Sequence, residues 1–258
     1  MKIAVITGAS SGLGREYIRQ LGAVEEEFDE IWAVARRKER LQDLADISKI
    51  RIRPLPMDLT KEESLDSFRM LLAEEKPVVL LLINAAGFGK IGSYQDIGID
   101  ASNRMIDLNC RAAVDMTYAC LPYMQAGSRI MQICSTAGFQ PFQYLNVYAA
   151  SKAFLYRFSR ALRVELFSVK IKVTAVCPYW IRDTEFIPTA KDTKGVGKAV
   201  RHFPLSSSVH SVARLSLTDS RLGFAVSTPG IVCTVHRIAA KIIPSELMMG
   251  IWALLRRA

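Results

Sequence analysis

Short apolar runs alternate with helix-patterned stretches along almost the whole 258-residue chain, and this alternation constrains the fold more than any other feature. Runs in which nearly every residue is apolar predict strands that are buried on both faces. Parallel strands need right-handed helical crossovers, so the pattern predicts a doubly wound α/β sheet with helices on both faces. The predicted strands are Ile3–Thr7, Ile31–Ala35, Ile50–Leu55, Val78–Ile83, Ile130–Cys134, Ile171–Cys177 and Phe224–Ser227.

Helix-patterned segments fill the intervals between these runs. Thr60 and Glu63 form a capping-box pattern at the start of the third segment. In a doubly wound sheet the ligand site lies at the carboxyl ends of the strands. The predicted helices are Gly12–Ala23, Lys38–Ile47, Lys61–Glu75, Ala101–Tyr123 and Asn146–Phe167.

Two regions stand apart from this alternation. Residues 185–211 are rich in Pro, Gly, Lys and Ser and predict a substrate-binding loop or lid, in which Phe186, Ile187 and Phe203 could cover the site. An ordinary surface loop is the alternative. Residues 231–258 predict an apolar C-terminal helical extension that breaks at Pro244. Its apolar stripe is typical of core or of an oligomer contact, and peripheral membrane contact is a separate hypothesis.

The formal charge of +9 permits anionic partners without naming one. Basic residues are spread along the chain without interleaved aromatic residues, so we expect no nucleic-acid binding. Five cysteines without zinc spacing and three histidines without ligand spacing predict reduced thiols, no metal site and a cytoplasmic location. The longest unbroken apolar run, Val78–Ile83, is far too short to span a membrane.

The first predicted strand ends in a glycine-rich loop, Thr7–Gly14, which a helix follows. Gly8 permits the tight turn, Gly12 lets backbone approach a pyrophosphate, and Gly14 lets the helix pack on the sheet. The helix N-terminus offers free N–H groups to a phosphate. The loop predicts a nucleotide site, and a Gly/Ser turn without a ligand is the alternative. Its predicted cofactor residues are Gly8, Ser10, Ser11, Gly12, Leu13 and Gly14.

The second predicted strand ends at Ala35, and two arginines, Arg36 and Arg37, follow it. An NAD site usually has an acidic residue here, which binds the ribose 2′-hydroxyl. A guanidinium suits a 2′-phosphate by charge and geometry, and Ser10 could add a hydroxyl. The missing acid and the added cations predict NADP(H) rather than NAD(H). A solvated basic helix start is the alternative.

Tyr148 and Lys152 are four residues apart on a predicted helix, so both lie on one face. A nearby ammonium lowers the pKa of a phenol from its usual value of about 10, which would make Tyr148 an acid or base near neutral pH. Ser135 could hydrogen-bond a reacting oxygen, and Asn109 could hold a water that links Lys152 to solvent. An exposed helix pair is the alternative for the Tyr-x-x-x-Lys pattern alone.

Taken together, these motifs resemble the short-chain dehydrogenase/reductase family over at least Lys2–Thr184. The glycine loop is followed by Asn109, Ser135, Tyr148 and Lys152 in the family's order. The further elements that match the family's cofactor site are Asp58 and Leu59, at the adenine, and Asn84, Ala85, Ala86 and Gly87, after the fourth strand.

The resemblance implies one Rossmann-type domain over residues 1–258, with about seven strands in the order 3-2-1-4-5-6-7. It implies that hydride passes between a nicotinamide and a carbonyl carbon, while Tyr148 exchanges the proton of the oxygen that Ser135 orients. Lys152 would lower the pKa of Tyr148 and bind the nicotinamide ribose, so that both residues also belong to the implied cofactor site. Asn109 would support the proton relay. Pairing through the helices that hold Asn109 and Tyr148 would give a homodimer or homotetramer.

The chain departs from the family after the sixth strand, where the family has Pro-Gly. Here Tyr179 follows Pro178, and Thr184 comes one residue late. We still expect Pro178, Thr184 and the Ile181 backbone to meet the nicotinamide. The predicted substrate-binding residues are Ser135, Tyr148, Tyr179 and Trp180. Packing under the loop is the alternative for Tyr179 and its neighbour.

These features predict an NADP(H)-dependent oxidoreductase that acts on a lipophilic ketone, such as a steroid, or on the corresponding secondary alcohol. The C-terminal extension favours such a substrate only by its likeness to relatives that act on lipophilic ketones. A reductase of 3-oxoacyl chains on a carrier or on CoA is the alternative within the class, since positive charge suits an acidic carrier. A non-enzymatic NADP(H) sensor or scaffold is the alternative from another class.

Overall fold

The computed structural model of the chain describes residues 1–23, 28–193, 200 and 205–256. Within these residues, seven parallel strands form one sheet in the order β3-β2-β1-β4-β5-β6-β7, which confirms the predicted fold. The strands are β1 Lys2–Thr7, β2 Glu30–Ala35, β3 Arg51–Pro56, β4 Val78–Asn84, β5 Arg129–Ile133, β6 Lys172–Val176 and β7 Val226–Ser227.

Helices cover both faces of this sheet. A π-helical turn, Asp107–Arg111, joins α4 to α5. The helices are α1 Gly12–Ala23, α2 Lys38–Gln42, α3 Glu62–Glu75, α4 Tyr94–Ile106, α5 Ala112–Cys120, α6 Asn146–Glu165, α7 Phe186–Lys191, α8 Val209–Leu222, α9 Ile231–Ile242 and α10 Ser245–Leu255.

The strands are apolar at consecutive positions because both faces of the sheet are covered. In β1, Ala4 and Ile6 pack with residues of α1 and α8, whereas Ile3 and Val5 pack with residues of α3, α5 and α6 on the opposite face. All four side chains are fully buried. The order of the strands brings the carboxyl ends of β1 and β4 side by side at the centre of the sheet, where a doubly wound fold binds its ligand.

The predicted capping box at Thr60 and Glu63 is wrong. Helix α3 begins at Glu62 with no side-chain cap. The Thr60 hydroxyl instead donates to Asp58 Oδ1 at 2.8 Å, and the backbone N–H of Thr60 donates to the same oxygen at 3.1 Å. Asp58 therefore organises the turn that follows β3.

Two predicted helices differ from the structure by more than two residues at an end. The segment Lys38–Ile47 is a short helix that ends at Gln42, followed by a separate 3₁₀ turn. The segment Ala101–Tyr123 begins earlier, because Ser93 and Asp96 form a reciprocal capping box ahead of α4. It is also interrupted by the π-helical turn.

The region 185–211 is partly helical: α7 lies within it and α8 begins at Val209. Phe203, which was predicted to cover the site, lies outside the described residues. Residues of the C-terminal extension form α9 and α10 on either side of Pro244. Among the helices of the described residues, none has the length and hydropathy that crossing a membrane requires.

Candidate active site

A cleft of about 370 Å³ opens at the carboxyl ends of the central strands. Nearly all the residues that the sequence predicts for the site lie on its walls, although they come from many separate segments. They are Gly8, Ser10, Ser11, Gly12, Leu13, Gly14, Arg36, Arg37, Asp58, Leu59, Ala85, Ala86, Gly87, Ser135, Tyr148, Lys152, Pro178, Tyr179, Trp180, Ile181 and Thr184. Asn84 and Asn109 lie behind the walls.

The glycine loop is packed so closely that two of its positions have no room for a side chain. Gly8 has a φ of +67°, and a Cβ there would lie 2.8 Å from backbone atoms of Ala85 and Ala86. A Cβ on Gly14 would lie 2.3 Å from the Gly8 carbonyl oxygen. The start of α1 and the ends of β1 and β4 therefore present backbone to the cleft, which fits the binding of a pyrophosphate at a helix N-terminus.

A basic cluster closes the outer end of the cleft. The Arg37 guanidinium donates to the hydroxyls of Ser10 at 3.2 Å and Ser11 at 2.7 Å. It also donates to Glu185 at 2.9 Å, which in turn accepts from Arg40 at 2.5 Å. Sequence reasoning missed the last two residues, because charged side chains in a loop and on a short helix carry no distinctive pattern.

Asn84 holds the end of β4 to its neighbours. Its Nδ2, which carries two hydrogens, has three acceptors within hydrogen-bond distance: the Ala113 carbonyl at 3.1 Å, Thr117 Oγ1 at 3.0 Å and Gln132 Oε1 at 3.1 Å. The residue is buried, so these bonds fix β4 against α5 and β5. The structure therefore places Asn84 as a support of the cleft rather than on its surface.

Ser135, Tyr148 and Lys152 come together on one wall of the cleft. Burial raises the pKa of Tyr148 to about 12, while the Ser135 hydroxyl opposes that rise. The Lys152 ammonium donates to the Ile133 carbonyl at 2.7 Å and lies 5.9 Å from the centre of the Tyr148 ring. The sequence predicts a pKa of Tyr148 nearer to neutral pH. The pKa instead lies above its usual value, because the loss of hydration outweighs the opposing effect of the Ser135 hydroxyl. Burial also lowers the pKa of Lys152.

Asn109 lies in the π-helical turn, behind the loop that follows β4. Its Oδ1 accepts from the Phe88 backbone N–H at 3.0 Å, and its Nδ2 donates to the Phe88 carbonyl at 2.9 Å and to Ser151 at 3.0 Å. The same Oδ1 would lie 2.9 Å from a Cβ on Gly87. Asn109 therefore fixes the backbone of a cleft wall and sits beside the helix that carries Tyr148.

Aromatic side chains line the cleft beyond Tyr148. The Phe186 ring is 5.4 Å from the Tyr148 ring, and the Phe142 ring is 5.0 Å from that of Trp252. Trp252 belongs to α10, and its indole N–H donates to the Gln143 carbonyl at 3.1 Å. We call this set the aromatic wall; its members are Phe88, Phe142, Tyr179, Trp180, Phe186 and Trp252.

Sequence reasoning found only part of the aromatic wall. It proposed Tyr179 and Trp180, and it expected Phe186 in a lid, but it missed Phe88, Phe142 and Trp252. A partial signal for Trp252 was its place in the predicted apolar C-terminal extension.

Comparison with known proteins agrees with this geometry. Residues 2–195 match the family model described as short chain dehydrogenase, so the chain belongs to this family. Over 193 residues it is 34% identical to sulfoacetaldehyde reductase 2 of Chromohalobacter salexigens, a match that covers 71% of this chain and 74% of the relative.

Two solved structures extend the likeness to the whole chain. A short-chain dehydrogenase from Sphingobium yanoikuyae in complex with NADPH is 27% identical, with a TM-score of 0.79, and the match covers 100% of this chain and 98% of that one. The bulky-bulky ketone specific alcohol dehydrogenase from Comamonas testosteroni is 25% identical, with a TM-score of 0.74, and the coverage is 100% and 96%.

Proposed function

We propose that the protein is an NADP(H)-dependent oxidoreductase that reduces a neutral, apolar ketone or oxidises the corresponding secondary alcohol. The observation that carries this proposal is the meeting of Ser135, Tyr148 and Lys152 on one wall of a cleft whose far end holds the glycine loop and Arg37. A proton donor and a dinucleotide site in one cleft are what carbonyl reduction requires.

The residues present fit NADP(H), which supplies the hydride when bound. Gly8, Gly12 and Gly14 leave the start of α1 open to a pyrophosphate. Arg37, with the hydroxyls of Ser10 and Ser11 beside it, suits a 2′-phosphate. At the nicotinamide end we assign Lys152 to the ribose, and Pro178, Ile181 and Thr184 to the ring. The solved relative from Sphingobium yanoikuyae is in complex with NADPH.

Tyr148 is the proton donor in this proposal. With a pKa of about 12 it stays protonated at neutral pH and can give its proton to a carbonyl oxygen. Ser135 supplies a second hydroxyl that orients this oxygen. The Lys152 ammonium, 5.9 Å from the centre of the Tyr148 ring, stabilises the phenolate that remains. Asn109 keeps the wall in place through Phe88.

The aromatic wall favours a neutral substrate. Its six side chains offer apolar surface and no positive charge to an anionic group. The relative named for sulfoacetaldehyde acts on a charged aldehyde, whereas the relative named for bulky-bulky ketones acts on large ketones. The composition of the aromatic wall supports the second class for this chain, with steroids among the candidates.

The experiment is a screen of carbonyl compounds with NADPH and, separately, NADH. The panel contains steroid and aryl ketones, 3-oxoacyl thioesters and sulfoacetaldehyde, and each alcohol product is identified by mass spectrometry. Turnover of the neutral ketones with NADPH supports the proposal. Turnover of the thioesters alone favours the 3-oxoacyl alternative, sulfoacetaldehyde alone refutes the neutral substrate, and NADPH binding without any turnover favours the sensor or scaffold.

The proposed assembly is a homodimer or homotetramer that pairs through α5 and α6. Tyr118, Phe154 and Phe167 on this side of the molecule are exposed apolar residues, and pairing would remove them from water. Light scattering of wild type and Phe154→Ser tests the assembly, since the variant is expected to shift the protein toward monomer.

Peripheral membrane contact and a cytoplasmic location stay predictions. Ile231, Val235, Ile238 and Ile242 form an exposed apolar stripe on α9. Flotation with anionic vesicles, comparing wild type with Ile238→Ser, tests the contact. A deletion of α10 would not be informative, because it would also remove Trp252 from the cleft.

A further inference from the structure

The carboxylate of Glu185 lies between two arginines at the mouth of the cleft. Its Oε2 accepts from Arg37 at 2.9 Å, and its Oε1 accepts from Arg40 at 2.5 Å. Hydrogen bonds from Arg40 and Arg37 lower the pKa of Glu185, so the side chain is ionised at neutral pH. These two ion pairs therefore link Glu185, the residue that precedes α7, to the start of α2.

The same Arg37 guanidinium contacts the hydroxyls of Ser10 and Ser11 in the glycine loop. These three residues are the ones assigned to the 2′-phosphate. The Glu185 carboxylate therefore already occupies a donor of Arg37 that the phosphate would use. A guanidinium has five N–H donors, and a carboxylate and a phosphate use them in the same planar way. The two anions cannot share the donors without repulsion.

We infer that Glu185 is a specificity-determining residue, whose carboxylate competes with the 2′-phosphate of NADP(H) for Arg37 and Arg40. This inference rests on the proposed function. NADP(H) binds only after its phosphate displaces the carboxylate from the guanidinium groups. Glu185 therefore weakens NADP(H) binding and reduces the preference for NADP(H) over NAD(H).

When a phosphate displaces the Glu185 carboxylate from the arginines, the side chain has space nearby to move into. A shallow hollow adjoins the cleft mouth, and its lining includes the cations Arg15, Arg40 and Arg182 and the carboxylates Asp183 and Glu185. Glu185 is about half exposed at 49%, so its side chain can turn into solvent without burying a charge. NAD(H) carries a neutral 2′-hydroxyl, which cannot replace a carboxylate on two cations, so its binding leaves the pairs with Glu185 intact.

Asp183 offers a matched control on the same loop. It is exposed to a similar extent, at 50%, and its carboxylate lies 3.6 Å from Arg182 rather than against Arg37 or Arg40. Glu185→Gln and Asp183→Asn each remove one negative charge and keep the side-chain size. Only the first removes a competitor for the phosphate donors.

The experiment measures dissociation constants of NADPH, NADH, 2′-AMP and 5′-AMP by calorimetry for wild type and both variants. Removing a close like charge is expected to tighten NADPH and 2′-AMP about tenfold in Glu185→Gln. In Glu185→Gln, the affinities for NADH and 5′-AMP should change by less than about twofold. Asp183→Asn should change the affinity for every ligand by less than about twofold, because its carboxylate contacts Arg182 rather than the donors assigned to the phosphate.

Unchanged or weaker NADPH binding by Glu185→Gln overturns the inference, as does an equal gain in both variants. An equal gain for NADH in Glu185→Gln also overturns it, because a general charge effect would then suffice. If neither wild type nor Glu185→Gln prefers NADPH over NADH, the proposed cofactor fails first, and the inference fails with it.

Discussion

Gly14→Ala tests the packing of the glycine loop. The new Cβ would lie 2.3 Å from the Gly8 carbonyl oxygen and 2.7 Å from the Gly8 carbonyl carbon. Both contacts are with backbone, so no flexible side chain can move aside. The start of α1 must separate from the loop, and the backbone that faces the cleft moves with it.

The cost follows from this geometry. Overpacking of a closely packed site costs about 1–3 kcal/mol, and contact with backbone places Gly14→Ala at the upper end. At about 2–4 °C per kcal/mol for a chain of this size, the melting temperature should fall by about 5–10 °C. NADPH binding should weaken as well, since the helix N-terminus is displaced from the pyrophosphate position.

Gly250→Ala is the matched control, because it makes the same substitution in another helix. A Cβ on Gly250 would have no atom within 4 Å among the described residues. Alanine in a helix is more stable than glycine by about 0.5–1 kcal/mol, so this variant should melt about 1–4 °C higher. Thermal unfolding by circular dichroism and NADPH titration measure both variants. A Gly14→Ala protein that melts and binds NADPH like wild type would refute the packing described for the loop.

Three further predictions address the cofactor end, the acid stability and the aromatic wall. Arg37→Ala should weaken NADPH about 10–100-fold and leave NADH unchanged, because it removes charge-assisted bonds to the 2′-phosphate. Arg36→Ala should have a smaller effect, because the hydroxyls of Ser10 and Ser11 bond to Arg37, and equal losses in a fluorescence titration would contradict the assignment. Burial raises the pKa of Glu16, but hydrogen bonds from Arg19, Gln20 and His210 outweigh it and lower the pKa to about 2. Glu16 therefore stabilises the fold above pH 4.5, the ordinary pKa of its side chain, and this contribution is lost as the pH falls from 4.5 to about 2; melting curves of Glu16→Gln should lack this dependence. Trp252→Phe should lower kcat/KM for a bulky ketone about tenfold with NADPH affinity unchanged, and unaltered kinetics would place the substrate elsewhere.

The sequence predicts the sheet well, because burial on both faces requires apolar residues at consecutive positions. In β1 and β2 nearly every position is apolar and buried, so the runs are visible without any tertiary information. Helix ends are less predictable, since Thr60 had two possible partners. It bonds to Asp58 rather than capping α3, and the choice depends on the turn after β3.

The site also contains residues that the sequence predicts and residues that it does not. The glycine loop and the Tyr148–Lys152 pair are local patterns, and the structure brings them to one cleft. Glu185 meets Arg37 across 148 positions of sequence, and Trp252 meets Gln143 across 109, so neither contact has a local signature. The pKa of Tyr148 was misjudged because the sequence shows a lysine four residues away but not the burial that opposes it.

The central claim is that hydride and proton reach one carbonyl in this cleft, and isotope transfer tests it most directly. Wild type and Tyr148→Phe are incubated with a neutral bulky ketone and with NADPH that carries deuterium at both C4 positions of the nicotinamide. We expect one deuterium at the carbinol carbon of the wild-type product. Tyr148→Phe should bind NADPH equally well but form the alcohol at least about 100-fold more slowly, because it lacks the proton donor. Unlabelled alcohol, or a variant as fast as wild type, would contradict the account.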